Sequence, residues 1–147
     1  MMMLRPATPD DIPTLVELGR VMHDESPVFR ALSFSEDKLA RTILHAIDNG
    51  FAVVAEQGGQ IVGGMLGIAV EHWASTDVVA CDLALFVAPE HRGGSTGARL
   101  LRRYAEWAES IGAAITQFGI VTGVEPERTE ELCRCLGWRR TGVVMGR

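Results

Sequence analysis

The sequence is poor in several features that define whole classes of proteins. It contains three cysteines, and an odd number with only Cys133 and Cys135 close together does not build a disulfide framework. That C-x-C pair has no third or fourth ligand nearby, so no metal site is predicted. A chain without a disulfide pattern suits a reducing compartment, and we expect this protein in the cytoplasm.

Long apolar runs and an excess of positive charge are missing as well. Lysine and arginine number 14 against 19 aspartates and glutamates, and the net charge is -5 at pH 7. A bulk nucleic-acid binder clusters cations to neutralise phosphates, so no nucleic-acid partner is expected. No apolar run is long enough to span a bilayer, and "MMMLRPATPDD" becomes charged at Arg5 before a signal peptide could form. We therefore expect no membrane partner.

The residues that are present predict one domain over 1–147 with a mixed α/β sheet. The chain has 47% hydrophobic residues and neither repeats nor linkers, which suits a single core. Hydrophobic periodicity, caps and turn signals predict the element order β-α-α-β-β-β-α-β-α-β. In chain order the predicted elements are a strand in "MMLRPAT", a helix from Thr8, a helix from Ser35 to Gly50, a hairpin around "QGGQ", a strand in "VVACDLALFVA", a helix in "GARLLRRYAEWAESIGA", a strand in "AITQFGIV", a helix from Pro126 and a last strand in "RRTGVVMGR".

The stretch "LFVAPEHRGGSTGARLL" joins a strand to a helix through a glycine-rich turn. Unpaired N–H groups and the helix dipole make such a helix start suitable for binding an anion. A P-loop would need a lysine directly after Gly97, and none is there. A dinucleotide fingerprint needs G-x-G-x-x-G on the first strand-to-helix turn, whereas Gly93 and Gly94 come late in the chain. Nucleotide binding is therefore the weaker alternative.

The same stretch resembles the acyl-CoA-binding motif of the GNAT superfamily of N-acetyltransferases, a strand with V-x-P-x-x-[RQ]-x-x-G-x-[GA] followed by a helix. Val87, Pro89, Arg92 and Gly97 fall on motif positions, and Ser95 stands where the family usually has its first motif glycine. The segments "RPATPDDIPTLVELG" and "EELCRCLGWRRTG" resemble the family's opening and closing segments. The likeness is nearest to small members with "HRGG..GARLLR" turns, some of them from phages.

This resemblance implies a GNAT-type fold, with a mostly antiparallel central sheet flanked by helices and strands splayed at an acyl-CoA slot. It implies acetyl-CoA as cofactor and transfer of its acetyl group to an amine of a small molecule or polypeptide by direct attack. Backbone N–H groups near Phe86 and Val87 would polarise the thioester. The residues expected to bind the cofactor are Phe86, Val87, Arg92, Gly93, Gly94, Ser95, Thr96, Gly97 and Ala98.

Two residues are the candidates for acid and base. Asp82 is a lone carboxylate in an apolar strand, and alternation predicts that it shares a face with Ala84 and Phe86. A base role competes with a position in solvent or a role in fixing a loop. Cys133 stands where many GNAT members carry a tyrosine acid, and its alternative is a small buried hydrophobe. Tyr104 is predicted to lie in the core.

The acceptor side is predicted in "MHDESPVFRALSF" and at the end of the hairpin. His23, Glu25, Phe29 and His72 are the candidate acceptor-binding residues, because carboxylates suit a cationic amine and aromatic rings supply an apolar wall. The acceptor's identity and the oligomeric state stay open, with a homodimer among the options. An acyl-CoA-binding sensor without turnover is the alternative function.

Overall fold

The computed structural model describes all 147 residues, and its centre is a five-stranded sheet in the order β1-β2-β3-β4-β5. Neighbouring strands are antiparallel except for β4 and β5, which are parallel, so the predicted mixed sheet is confirmed. The strands are β1 Met2–Pro6, β2 Phe51–Gln57, β3 Gln60–Glu71, β4 Val78–Val87 and β5 Ile115–Gln117, and the helices are α1 Ile12–Glu25, α2 Glu36–Asn49, α3 Thr96–Ser110 and α4 Pro126–Cys135. Each of these helices is too short or too polar to span a bilayer.

The chain becomes helical close to both predicted capping residues, although α1 itself starts only at Ile12. A single 3-10 turn over Pro9–Asp11 precedes α1, and Asp11 accepts a hydrogen bond from the backbone N–H of Thr8 at 2.8 Å. Ser35 Oγ accepts from the N–H of Lys38 at 3.1 Å and caps α2. The local sequence therefore determines both helix starts.

Apolar side chains cover both faces of the sheet. Helices α3 and α4 cover one face through a group of apolar residues that we call the α3-side cluster. Helices α1 and α2 cover the other face through the α1-side cluster. Tyr104 is fully buried in the α3-side cluster, as predicted. The α3-side cluster includes Phe51, Met65, Ala80, Leu100, Leu101, Tyr104 and Cys133, and the α1-side cluster includes Leu15, Ile43, Val54, Leu66 and Phe86.

A β-bulge interrupts β4 near its middle. Leu66 of β3 pairs with Ala84, and the next residue, Gly67, pairs with Asp82. Leu83 is left without an opposite residue and is 40% exposed. One extra residue in a strand inverts the alternation of side chains beyond it.

The bulge changes the face on which Asp82 lies. Ala80 belongs to the α3-side cluster and Leu85 packs against that cluster, whereas Ala84 and Phe86 pack in the α1-side cluster. Two residues on from Ala80 and before the bulge, Asp82 is on the α3 side. The prediction that it shares a face with Ala84 and Phe86 was wrong, because simple alternation carries no sign of the bulge.

The C-terminal part of the sheet is shorter than predicted. Of the predicted strand "AITQFGIV", only Ile115–Gln117 pairs with β4. The predicted last strand "RRTGVVMGR" is wrong, because residues 139–147 make no backbone hydrogen bond and all are exposed. Its valines have the right β-propensity, but a strand also needs a paired neighbour. The sheet therefore ends at β5.

Candidate active site

The site begins where β4 and β5 separate. Their parallel pairing ends at Cys81 and Gln117, yet β4 continues to Val87 while the chain after β5 turns away. A cavity of about 320 Å³ opens between the two, as the predicted splayed strands require. Its walls are Leu85, Phe86 and Val87 of β4, His91, Arg92, Gly93, Gly94 and Gly97 of the glycine turn and α3, Leu18, Met22 and Glu25 of α1, and Thr122, Val124, Glu125, Arg128, Thr129 and Leu132 at and before α4.

The glycine turn presents a run of free backbone donors. The N–H groups of residues 93–98 donate to no acceptor in the protein, and Arg99 is the first to bond, to the carbonyl of Ser95. Gly93 makes the turn with φ +85°, a conformation that disfavours a side chain. Six free N–H groups at the start of α3 form a site of positive potential, so the turn is suited to a phosphate group.

The end of β4 points one backbone N–H into the cavity. Ala88 donates to the carbonyl of Val62 at 2.9 Å, so Phe86, two residues earlier in this antiparallel register, also faces β3. Val87 faces the other way, and its carbonyl accepts from Nε of Arg92 at 3.0 Å. Of the two predicted thioester contacts, the N–H of Val87 has the required direction and that of Phe86 does not.

The side chain of Arg92 is engaged with α1. Its guanidinium donates to both carboxylate oxygens of Glu25, at 2.7 and 2.6 Å. These hydrogen bonds hold the pKa of Glu25 below its ordinary value and raise that of Arg92. Glu25 is thus neutralised by a neighbour, and the ion pair ties the end of α1 to the end of β4.

Neither predicted acid nor predicted base lies on the cavity wall. Asp82 Oδ1 accepts a hydrogen bond from the backbone N–H of Gly119 at 2.8 Å, and burial raises the pKa of its carboxyl. Cys133 is buried in the α3-side cluster, and burial raises the pKa of its thiol. Helix α4 instead turns Arg128, Thr129 and Leu132 toward the cavity.

Three of the predicted cofactor residues do not line the cavity with their side chains. Ser95 is exposed, Ala98 is half-buried, and Thr96 is buried. The hydroxyl of Thr96 donates to the sulfur of Met2 at 3.1 Å, away from the turn. These residues contribute free N–H groups to the turn rather than side chains.

Only Glu25 among the predicted acceptor residues lines the cavity. His23 Nε2 lies 2.8 Å from the carbonyl oxygen of Leu32 and holds the segment that follows α1. Phe29 is in a 3-10 turn over Phe29–Ala31, and His72 packs beside Trp73, with ring centroids 5.4 Å apart. Because β3 ends beside Val78 and the cavity wall begins seven residues later at Leu85, His72 is separated from the cavity by roughly 23 Å at ~3.3 Å per residue.

Arg128 is a site residue that the sequence reasoning missed. Its Nη2 would lie 3.0 Å from a β-carbon added at Gly93, so the guanidinium reaches across the cavity to the turn. Glu125, at φ +43° before α4, lies 3.7 Å from it. Positions 125, 128, 129 and 132 have helical spacing, but the pattern does not reveal that this face is opposite the turn. No cluster of three or more His, Cys, Asp or Glu side chains could hold a metal ion.

The chain is similar in fold to proteins of known structure over its whole length. The chain is similar in fold to a GCN5-related N-acetyltransferase from Ralstonia eutropha JMP134 (TM-score 0.76, 23% identity, covering 100% of this chain and 98% of that one). It is also similar to a predicted acetyltransferase with acetyl-CoA from Clostridium acetobutylicum (0.74, 18%, 100% and 96%) and to glucosamine-6-phosphate N-acetyltransferase from Arabidopsis thaliana (0.75, 13%, 100% and 97%). No curated protein matches the chain in sequence. The family model "Acetyltransferase (GNAT) family" matches residues 18–138, and the chain belongs to that family.

Proposed function

We propose that this protein transfers an acetyl group from acetyl-CoA to an amine on a small molecule or polypeptide. The observation that carries the proposal is the run of free N–H groups over residues 93–98, beside a cavity between separated parallel strands. Acetyl-CoA supplies a pyrophosphate that such donors bind and a thioester activated toward amines. A cytoplasmic location and the absence of nucleic-acid and membrane partners stay predictions from composition.

The residues present fit that cofactor. A pyrophosphate needs several donors on a turn without obstructing side chains, and Gly93, Gly94 and Gly97 all line the cavity. A β-carbon at Gly97 would stand 3.7 Å from Leu132 on the opposite wall, so glycine keeps the passage open. Arg128 adds a cation beside the turn. The apolar walls of the passage suit an extended pantetheine arm.

The end of β4 supplies the electrostatic part of catalysis. The N–H of Val87 would donate to the thioester carbonyl oxygen, where negative charge develops. Arg92 orients this group, because it holds the carbonyl of Val87 and is itself fixed by Glu25. Direct attack by a bound amine requires no nucleophilic side chain. The buried Cys133 therefore needs no acyl-carrying role.

Asp82 and Cys133, the residues predicted to transfer protons, both lie off the cavity wall. The titratable acids and bases on the cavity wall are Glu25, His91 and Glu125, and Glu25 is held by Arg92. The cavity is open to solvent near Glu125, whose side chain is 63% exposed, so an amine proton can leave through water. Because Asp82 and Cys133 lie off the wall, a sensor that binds acyl-CoA without turnover remains a second candidate.

Ligand binding and turnover separate these candidates. Acetyl-CoA should stabilise the protein by about 2.7 kcal/mol at a hundredfold excess over Kd, because a ligand of the native state shifts unfolding by mass action. ATP should stabilise it far less, and an equal shift with ATP would overturn the acyl-CoA assignment. Release of free CoA from acetyl-CoA is then measured with a panel of amines. Binding without CoA release for any amine would favour the sensor.

A further inference from the structure

Asp82 takes a position that a backbone group occupies in a regular parallel sheet. The register of β4 and β5 ends at Cys81 and Gln117, and the next inward-facing N–H, that of Gly119, has no strand carbonyl to bond. The carboxylate of Asp82 accepts it instead, at 2.8 Å. A side chain extends beyond its own backbone, so this bond holds the outgoing chain farther from β4 than a strand pair would.

A second hydrogen bond holds the same chain from α3. The hydroxyl of Tyr104, a fully buried residue, donates to the carbonyl of Gln117 at 2.6 Å. The two bonds flank Phe118, whose ring meets Trp138 at a centroid distance of 6.4 Å. The direction in which the chain leaves the sheet is thus held from β4 and from α3 at adjacent points. Beyond them it runs to Thr122 and Val124 on the cavity wall.

The surroundings of Asp82 contain no cation that would make it one half of an ion pair. Its titratable neighbours are the thiols of Cys81 and Cys133 and the hydroxyl of Tyr104. The carboxyl group is absent from the cavity wall, whereas the chain that it holds at Gly119 reaches that wall three residues later, at Thr122. Its one backbone partner on another segment is Gly119.

We propose that Asp82 is a positioning residue whose hydrogen bond to Gly119 sets the separation between β4 and residues 118–122, and with it the width of the acyl-CoA passage. This inference rests on the proposed function. It differs from a role as general base, because a base acts on the amine and leaves the affinity for acetyl-CoA unchanged.

The test compares Asp82→Asn with Asp82→Ala by calorimetry with acetyl-CoA. The side-chain oxygen of asparagine can still accept the hydrogen bond from the N–H of Gly119, whereas alanine cannot. Neither side chain can act as a general base. We expect Asp82→Asn to bind within threefold of the wild type and Asp82→Ala to bind at least tenfold more weakly. Leu83→Ala, a neighbouring substitution at an exposed position, is the control and should bind normally. Where an active amine is known, KM for acetyl-CoA should rise in Asp82→Ala while Asp82→Asn retains most of kcat.

Each outcome decides the matter. Wild-type affinity in both variants would overturn the positioning role, and so would equal weakening in both. If Asp82→Ala does not fold, Asp82→Asn alone suffices. Normal acetyl-CoA binding together with slow hydrogen exchange of the Gly119 amide supports the proposal. Weakened binding by the folded variant contradicts it. Failure of the wild type to bind acetyl-CoA would instead refute the proposed function, so the two failures are distinguishable.

Discussion

Two glycines of the same turn are there for different reasons. Gly93 has φ +85°, which a residue with a side chain adopts only with strain. Gly97 has no such dihedral, and a β-carbon there would make an ordinary contact with Leu132 at 3.7 Å. Gly93 therefore serves the backbone conformation, and Gly97 serves the open passage beside the free N–H groups.

Because the two glycines have different roles, a substitution at Gly97 should affect binding, whereas one at Gly93 should affect stability. Gly97→Val should leave the free energy of unfolding unchanged or raise it by up to about 0.5 kcal/mol, because valine costs slightly less than glycine in a helix. It should nevertheless abolish acetyl-CoA binding, because its methyl groups would fill the passage. Denaturant unfolding and calorimetry measure the two effects.

Gly93→Ala is the comparison variant for stability. It should lose roughly 1–3 kcal/mol of stability, since alanine is strained at positive φ. A folded Gly97→Val protein with wild-type affinity for acetyl-CoA would show that the turn is not the binding site.

At the scale of elements, the Glu25–Arg92 pair joins α1 to β4. Both side chains are about one-third exposed, at 33% and 34%, so solvent screens their attraction. The pair therefore adds little to stability. Its effect is on geometry, because Arg92 also holds the carbonyl of Val87 beside the proposed thioester site.

Glu25→Gln should consequently separate stability from activity. We expect the free energy of unfolding to fall by less than about 1 kcal/mol. The rate of acetyl transfer should fall by roughly tenfold, because Arg92 and Val87 lose their fixed orientation. Glu17→Gln, at an exposed position of the same helix, is the control in the CoA-release assay. Unchanged kinetics in Glu25→Gln would mean that the pair does not orient Val87.

Across the whole molecule, stability in acid depends on a carboxylate that joins β1 to the start of α1. Asp11 accepts from both terminal nitrogens of Arg5, at 2.8 and 2.9 Å, and its side chain is 8% exposed. The Arg5 hydrogen bonds hold the pKa of Asp11 below its ordinary value of 3.8. A carboxyl group whose pKa is lower in the folded than in the unfolded state stabilises the fold at pH values above its unfolded-state pKa. This contribution disappears as the pH falls through the folded-state pKa.

Asp11→Asn should therefore reduce the free energy of unfolding at pH 7 by about 1.5–3 kcal/mol, the range for hydrogen bonds to charged groups. The difference from the wild type should shrink below pH 4, where the unfolded chain already holds the proton. Urea unfolding at several pH values checks this. A deficit of the same size at every pH would show that ionisation of Asp11 contributes nothing. The pH dependence of stability at Asp82 has the opposite sign. Burial raises the pKa of its carboxyl, so its contribution to the free energy of unfolding is lost as the pH rises.

Features that depend on a few adjacent residues could be predicted from the sequence. The cap at Ser35, the "QGGQ" hairpin and the strand, turn and helix around Gly93 all formed as expected. Each depends on local dihedral preferences and hydrogen bonds within a few residues, so the pattern contains the information. The family resemblance rests on the same local segments.

Features that depend on contacts between distant segments could not be predicted. The sequence of β4 contains no sign of the bulge at Leu83, which moved Asp82 to the α3 side and toward Gly119. The rest of the sequence likewise contains no sign that Glu25 contacts Arg92 or that Arg128 reaches the glycine turn. A side chain's partner is set by sheet register and helix packing across the whole chain, and these global quantities decide which of the chemically plausible residues line the cavity.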